Sequence, residues 1–190
     1  MNGIEYLSSL SIVLNNTVVQ AYNRDNLDFN QAIDRSIETL LQLNETNNKI
    51  MFIGNGGSAG IASHCAIDYW KNGGIRATCF NEGALLTCIS NDYGYEEVFR
   101  KPIEMFADSG DLLVAISSSG QSKNILNGVE AAKEKGCEVI TLSGFSEDNP
   151  LRKMGDLNFY VPSNSYGFVE LAHQVILHAI LDLIMERNNK

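Results

Sequence analysis

Apolar residues follow two rhythms along this chain. From Ile4 to about Tyr22, Leu7, Leu10, Val13 and Leu14 recur at helical spacing, and Ala32, Ile33, Ile37, Leu40 and Leu41 repeat that spacing in a second segment. An apolar residue every third or fourth position forms one stripe on a helix. Residues 1–45 are therefore predicted to be two helices, an extension that covers the sheet or packs against a neighbouring subunit. After Asn48 the rhythm changes to short apolar runs, Lys49–Ile53, Arg76–Phe80, Asp111–Ile116, Glu138–Leu142 and Leu157–Val161, separated by helical stretches. Such alternation predicts an α/β core over residues 46–190, a parallel sheet flanked by helices, in one domain spanning 1–190. The last helix, about Gly167 to Arg187, is apolar on more than one side, as suits an element buried against sheet or subunit.

Open parallel sheets bind ligands beyond the carboxyl ends of their strands, which directs attention to the loops there. The first strand runs into Gly54-Asn55-Gly56-Gly57-Ser58-Ala59-Gly60, whose small residues leave the N–H groups of the next helix accessible to an anion or to sugar hydroxyls. Gly54, Gly56 and Ala59 also satisfy the loose dinucleotide pattern G-x-G-x-x-A, with Glu82 as a ribose-binding acid. The third strand ends in Ser117-Ser118-Ser119-Gly120-Gln121-Ser122 ahead of a helix from about Lys123. Hydroxyls beside a helix N-terminus make a phosphate cradle that needs no cation. A dinucleotide enzyme has no use for this second loop, so it favours a sugar phosphate over a nicotinamide cofactor. A third polar segment, Ser90-Asn91-Asp92-Tyr93-Gly94-Tyr95, reads either as a helix-breaking turn or as a substrate-lining one.

Charge sharpens this picture. A formal charge of −9 and a pI near 4.7 give nucleic acid no general reason to bind, so a phosphorylated ligand has to be held by local dipoles. Hydrophobic residues at 44% and charged residues at 19% are ordinary for a globular chain. Met1 to Tyr6 lacks the basic region and apolar run of a signal peptide, and no stretch reads as the ~20 apolar residues of a membrane span, so cytoplasm is the expected location. Cys65, Cys79, Cys88 and Cys137 show neither a CxxC pair nor zinc-finger spacing and are expected to be free thiols.

Ionisable residues supply candidate chemistry. His64 and Asp68 stand four apart on the helix after the glycine loop and share one face. Glu170, His173 and His178 interrupt an apolar run, where ionisable groups need partners. Glu170 and His178 are separated by eight residues, ~12 Å of helical rise, so a single ion meets both only through an irregular helix or from different chains. His173 reads as a histidine hydrogen-bonded in a helix interface.

The ordered set Gly54-Asn55-Gly56-Gly57-Ser58, His64, Asn91-Asp92-Tyr93-Gly94, Gly110 to Ser122 and the Glu170–His178 helix resembles the phosphoheptose isomerase family within the sugar isomerase (SIS) superfamily. The resemblance implies a five-stranded parallel sheet, a homotetramer with active sites between subunits, and interconversion of sedoheptulose 7-phosphate and D-glycero-D-manno-heptose 7-phosphate for surface polysaccharide. Carried over by motif, Asn55, Gly56, Gly57, Asn91 and Asp92 touch the sugar, together with Asp68 and Glu170, while Ser117, Ser118, Ser119 and Ser122 hold the phosphate. His64, Asp68, Glu170 and His178 match a metal site, with zinc the implied ion, and Asp68 and His178 the proton-transfer pair. Asp68 stands where the family usually has a glutamate, Glu170 where it has a glutamine, and Lys71 and Asn72 stand near a missing arginine. The alternative is a non-catalytic SIS module that binds a sugar phosphate as a signal.

Overall fold

The computed structural model describes residues 1–22 and 25–188, with side chains described as far as Arg187. Helix α1, Gly3–Asn15, opens with a capping box in which the Asn2 side chain accepts from the Glu5 N–H and Glu5 bonds back to the Asn2 N–H. The predicted helix to Tyr22 stops early: β-branched Val18 and Val19 belong to strand β1, Val18–Ala21, followed by β2, Asn26–Leu27. A short apolar stretch satisfies helix and strand patterns alike, and here the free edge of the sheet decides.

Helix α2, Phe29–Thr46, is capped by the Asp28 carboxylate, which accepts from the N–H groups of Asn30 and Gln31, and it stops where Asn47 turns left-handed at φ 58°. It buries Ala32, Ile33, Ile37, Leu40 and Leu43, each large aliphatic side chain contributing about 1.5–3 kcal/mol. The core strands are β3 (Ile50–Gly54), β4 (Ala77–Cys79), β5 (Leu112–Ser117), β6 (Glu138–Ser143) and β7 (Leu157–Tyr160), all parallel. Between them run α3 (Gly57–Lys71), α4 (Gly83–Tyr93), α5 (Arg100–Phe106) and α6 (Lys123–Glu134), and α7 (Tyr166–Asn188) closes the described chain.

The sheet order is β2-β1-β7-β6-β5-β3-β4, seven strands rather than the five expected. The five parallel strands are those predicted; the additions are β1, antiparallel to β7 with Val19 opposite Phe159, and β2. The N-terminal extension thus extends the sheet as well as covering it. One core layer packs α2, α3 and α7 on the face carrying Ile50, Phe52, Val114 and Phe159; a second packs α5 and α6 on the face carrying Met51, Ile53, Leu113 and Ala115. Helix α7 is long and apolar enough to cross a membrane, which departs from the sequence expectation; Val169, Ala172, Ile176, Leu177, Ile180 and Leu181 on it are buried in the first of these layers.

Candidate functional site

Because β3 and β5 are parallel neighbours, the glycine and serine loops that follow them meet at the carboxyl end of the sheet. Together with the start of α7 they enclose a cavity of about 210 Å³ lined by Asn55, Gly56, Gly57, Ser58, Ser117, Ser118, Ser119, Ser122, Tyr166 and Glu170. Ser117 and Ser118 are buried at its base, and Ser122 is the N-cap of α6 with its hydroxyl left uncommitted to the helix, 3.5 Å from that of Ser117. The hydroxyls face a helix N-terminus, where the dipole favours an anion.

The serine loop is braced from behind. The Gly144 N–H donates to the Ser118 carbonyl at 3.0 Å, the Leu151 N–H to the Gly120 carbonyl at 3.1 Å, and the Asn149 amide donates to the Ser143 hydroxyl and to the carbonyls of Gly144 and Ser146. Gly120 has φ +62°, and a Cβ there would lie 2.0 Å from the side-chain oxygen of Asn149, so only glycine fits. The glycine loop is fixed by a reciprocal amide pair: Asn55 donates to Asn124 at 2.9 Å and Asn124 donates back at 2.8 Å, while the Tyr95 hydroxyl donates to the same Asn55 oxygen at 3.1 Å. Asn124 and Tyr166 had no marked role in the sequence, and Tyr95 only as the end of the third polar segment; the amide pair joins residues 69 apart, which no local spacing discloses.

Glu170 lies against the glycine loop, and a Cβ on Gly57 would sit 2.4 Å from its carboxylate. Glu170 is thus a wall of the cavity, its carboxylate lying in the space that a side chain at position 57 would take. Asn91 and Asp92 lie in the last turn of α4, exposed and hydrogen-bonded to each other at 2.8 Å; they do not line the cavity, and the helix breaks after them, at Gly94. Glu82, the acid that a dinucleotide reading requires, instead caps α4 by accepting from the Leu85 N–H at 2.9 Å. Bonds from backbone N–H groups of Ala84 and Leu85 hold its pKa below the ordinary value.

The second cluster lies farther along α3 and α7. His64 Nε2 is 3.0 Å from Asp68 Oδ2 and 3.2 Å from His178 Nε2, and His178 Nδ1 is 4.0 Å from Asp68 Oδ2. Among the described residues these three form the group of side chains able to hold a metal ion, with their ligand atoms within 4.8 Å of one another. Zinc bonds of 2.0–2.1 Å in a tetrahedron place neighbouring donors about 3.3 Å apart, so the donor set fits a divalent ion. Glu170 is outside this group, as its eight-residue distance from His178 on a continuous α7 requires. His173 is fully buried, with Nε2 3.2 Å from the Ser143 carbonyl and Nδ1 unpartnered; burial pushes its pKa down to about 4, so it is a neutral structural group tying α7 to β6.

The SIS domain family matches residues 16–144. A phosphoheptose isomerase from Aliarcobacter butzleri is 34% identical over 162 residues, covering 81% of this chain and 84% of that protein. The solved phosphoheptose isomerase from Neisseria gonorrhoeae superposes with a TM-score of 0.76 at 33% identity, covering 81% of this chain and 85% of that one. Another, from Francisella tularensis, reaches 0.79 over 98% of this chain at 24% identity, a likeness of fold. With its two polar loops, its paired helices and these relatives, the chain belongs to the phosphoheptose isomerase family of SIS-domain proteins.

Proposed function

We propose that this chain is an isomerase that interconverts sedoheptulose 7-phosphate and D-glycero-D-manno-heptose 7-phosphate in heptose biosynthesis, acting in the cytoplasm and supplying a surface polysaccharide. One observation carries this reading: the serine cavity and the His64–Asp68–His178 cluster share α3 and α7. From Gly57 to His64 is seven residues of helix, roughly 10 Å of rise, a separation suited to a phosphate at one end of an extended sugar and its carbonyl carbons at the other.

The residues divide the work. Ser117, Ser118, Ser119 and Ser122 hold the phosphate, and Asn55, Gly56, Gly57 and Glu170 contact the sugar, with Asn91 and Asp92 joining only if a neighbouring subunit brings substrate to α4. Asp68 removes the proton from the carbon beside the carbonyl to leave an enediol, and returns it to the adjacent carbon; His178 moves the proton between the two oxygens. His64, Asp68 and His178 would hold a divalent ion, taken to be zinc, which when bound polarises the substrate oxygens. Exposed Ile67, Trp70, Leu171, Val175 and Leu183 lie on α3 and α7 beside the cluster, an apolar surface that supports a homotetramer with sites at subunit interfaces.

Incubating the zinc-replete protein with sedoheptulose 7-phosphate and following the sugar by NMR tests the reading. The aldose should form without any nucleotide. A folded, metal-loaded protein that binds the sugar but leaves it unchanged would point to a non-catalytic binding module.

A further inference from the structure

The hydrogen bonds around Asn55 fix which way round its amide faces as well as where it sits. Asn124 Oδ1 accepts from the Ile125 N–H at 3.0 Å, and a backbone N–H can only donate, so the orientation of the Asn124 amide is settled by its own helix. Its nitrogen then has to donate to Asn55 Oδ1, at 2.8 Å, and its oxygen has to accept from Asn55 Nδ2, at 2.9 Å. The Tyr95 hydroxyl donates to the same Asn55 oxygen at 3.1 Å. An amide oxygen has two lone pairs and an amide nitrogen two N–H groups. Both lone pairs of the Asn55 side chain are therefore filled and one N–H is spent on Asn124; the other has no acceptor among the described residues, although Asn55 lines the serine cavity.

The frame behind this amide is held from several sides. Asn124 and Asn127, three apart on α6, are both buried, and Asn127 donates to the Glu96 carbonyl at 3.1 Å and to the Glu97 carboxylate at 2.9 Å, pinning the turn that carries Tyr95. That turn leaves α4 at Gly94, whose φ of +95° favours glycine. The third polar segment thus reaches the cavity through its last residue, while Asn91 and Asp92 stay outside. We propose that Asn124 and Tyr95 are positioning residues that commit the Asn55 oxygen and leave a single N–H for the sugar, so that Asn55 recognises a ligand oxygen as acceptor and offers nothing to a ligand donor. The inference rests on the sugar-phosphate reading above and concerns the sugar end of that ligand, apart from the serine loop that holds its phosphate.

Calorimetric binding and steady-state kinetics with sedoheptulose 7-phosphate test this on the full-length, zinc-replete wild type and on Tyr95→Phe, Asn124→Leu and Asn55→Ala, with each of the first two also combined with the third. Tyr95→Phe, a change at an exposed side chain, and Asn124→Leu, which keeps the shape of the amide without its hydrogen bonds, should each raise Kd and KM by roughly 2- to 12-fold, the worth of one neutral hydrogen bond, with a smaller change in kcat. In an Asn55→Ala background either substitution should add less than about twofold, because both act through that amide. Inorganic phosphate, a probe of the serine loop alone, should bind every variant within about twofold of wild type. An unchanged Kd in Tyr95→Phe, or full additivity with Asn55→Ala, overturns the assignment, since the two side chains would then act by supporting the fold or by touching the sugar themselves. So does a loss of inorganic phosphate binding as large as the loss of sugar phosphate binding. A wild type that binds the sugar phosphate without converting it overturns the isomerase reading and leaves this one to be decided by the Kd values; a wild type that does not bind it overturns both.

Discussion

The two ends of the parallel strands carry opposite kinds of polar chemistry. At the amino end, Asp111 is fully buried before β5 and all its neighbours are donors: the Lys49 ammonium at 2.6 Å, the N–H groups of Lys49 and Asp108 at 2.9 and 2.8 Å, and the Asn48 amide at 3.1 Å. Burial alone would raise its pKa, but these bonds outweigh it and hold the carboxyl below the ordinary value. Half-buried Asp156, just before β7, ties that strand to β6 by accepting from the Val139 N–H at 2.8 Å. At the carboxyl end, neutral hydroxyls and helix N-termini surround an open cavity with the Glu170 carboxylate as one wall, and the ionisable cluster nearby is partly exposed, His64 by 51% and His178 by 35%. A buried charge with all its partners contributes to holding the sheet together; donors left facing solvent are available to a ligand.

That contrast predicts that substitutions at the two ends separate activity from stability. The largest effect belongs to Asp68→Asn, which should lower turnover by ~10²–10⁴-fold, the usual contribution of a general base, while the urea midpoint stays near wild type. Asp111→Ala should do the reverse. Removing one partner of a buried pair costs about 3–5 kcal/mol, measured by urea denaturation, and kcat/KM of the folded fraction should be unchanged.

Acid should sharpen the same comparison. His173 titrates near pH 4 when folded and near 6.5 when unfolded, so the unfolded chain binds the extra proton. Its contribution to stability is full above pH 6.5 and is lost as pH falls toward 4, by about 3 kcal/mol in all. Asp111, with its pKa lowered below 3.8, contributes stability that is lost only in a more acidic window. Denaturation curves between pH 7 and pH 4 should therefore flatten in His173→Gln and keep their slope in Asp111→Asn. The smallest effect is at the phosphate cradle. Ser117→Ala and Ser119→Ala should each weaken binding of the sugar phosphate by about 0.5–1.5 kcal/mol, seen by calorimetry, with little change for the unphosphorylated sugar.

The sequence made the five parallel strands legible because each is a short, mostly apolar run, and it marked the two loops because glycine and serine clusters follow β3 and β5 directly. It misread Val18–Ala21, whose four residues suit either element until β7 offers them a partner edge. The eight-residue spacing of Glu170 and His178 left a shared ion to an irregular helix or to two chains; α7 runs unbroken through both, and within one chain Glu170 lies against Gly57 instead. Asn91 and Asp92 read as either a helix-breaking turn or a substrate-lining one, and the resemblance assigned them to the sugar; they complete α4, whose break follows at Gly94. The Asn55–Asn124 pair and the Asn149 brace depend on tertiary contact, and no local pattern announces them.

Solvent-deuterium exchange tests most directly the claim that the carboxyl-end cluster performs the proton transfer. With sedoheptulose 7-phosphate in D₂O, the wild type should place deuterium on the carbons beside the carbonyl, and Asp68→Asn and His178→Gln should each suppress it while Asp111→Asn does not. Exchange at the wild-type rate in both cluster variants would contradict the account.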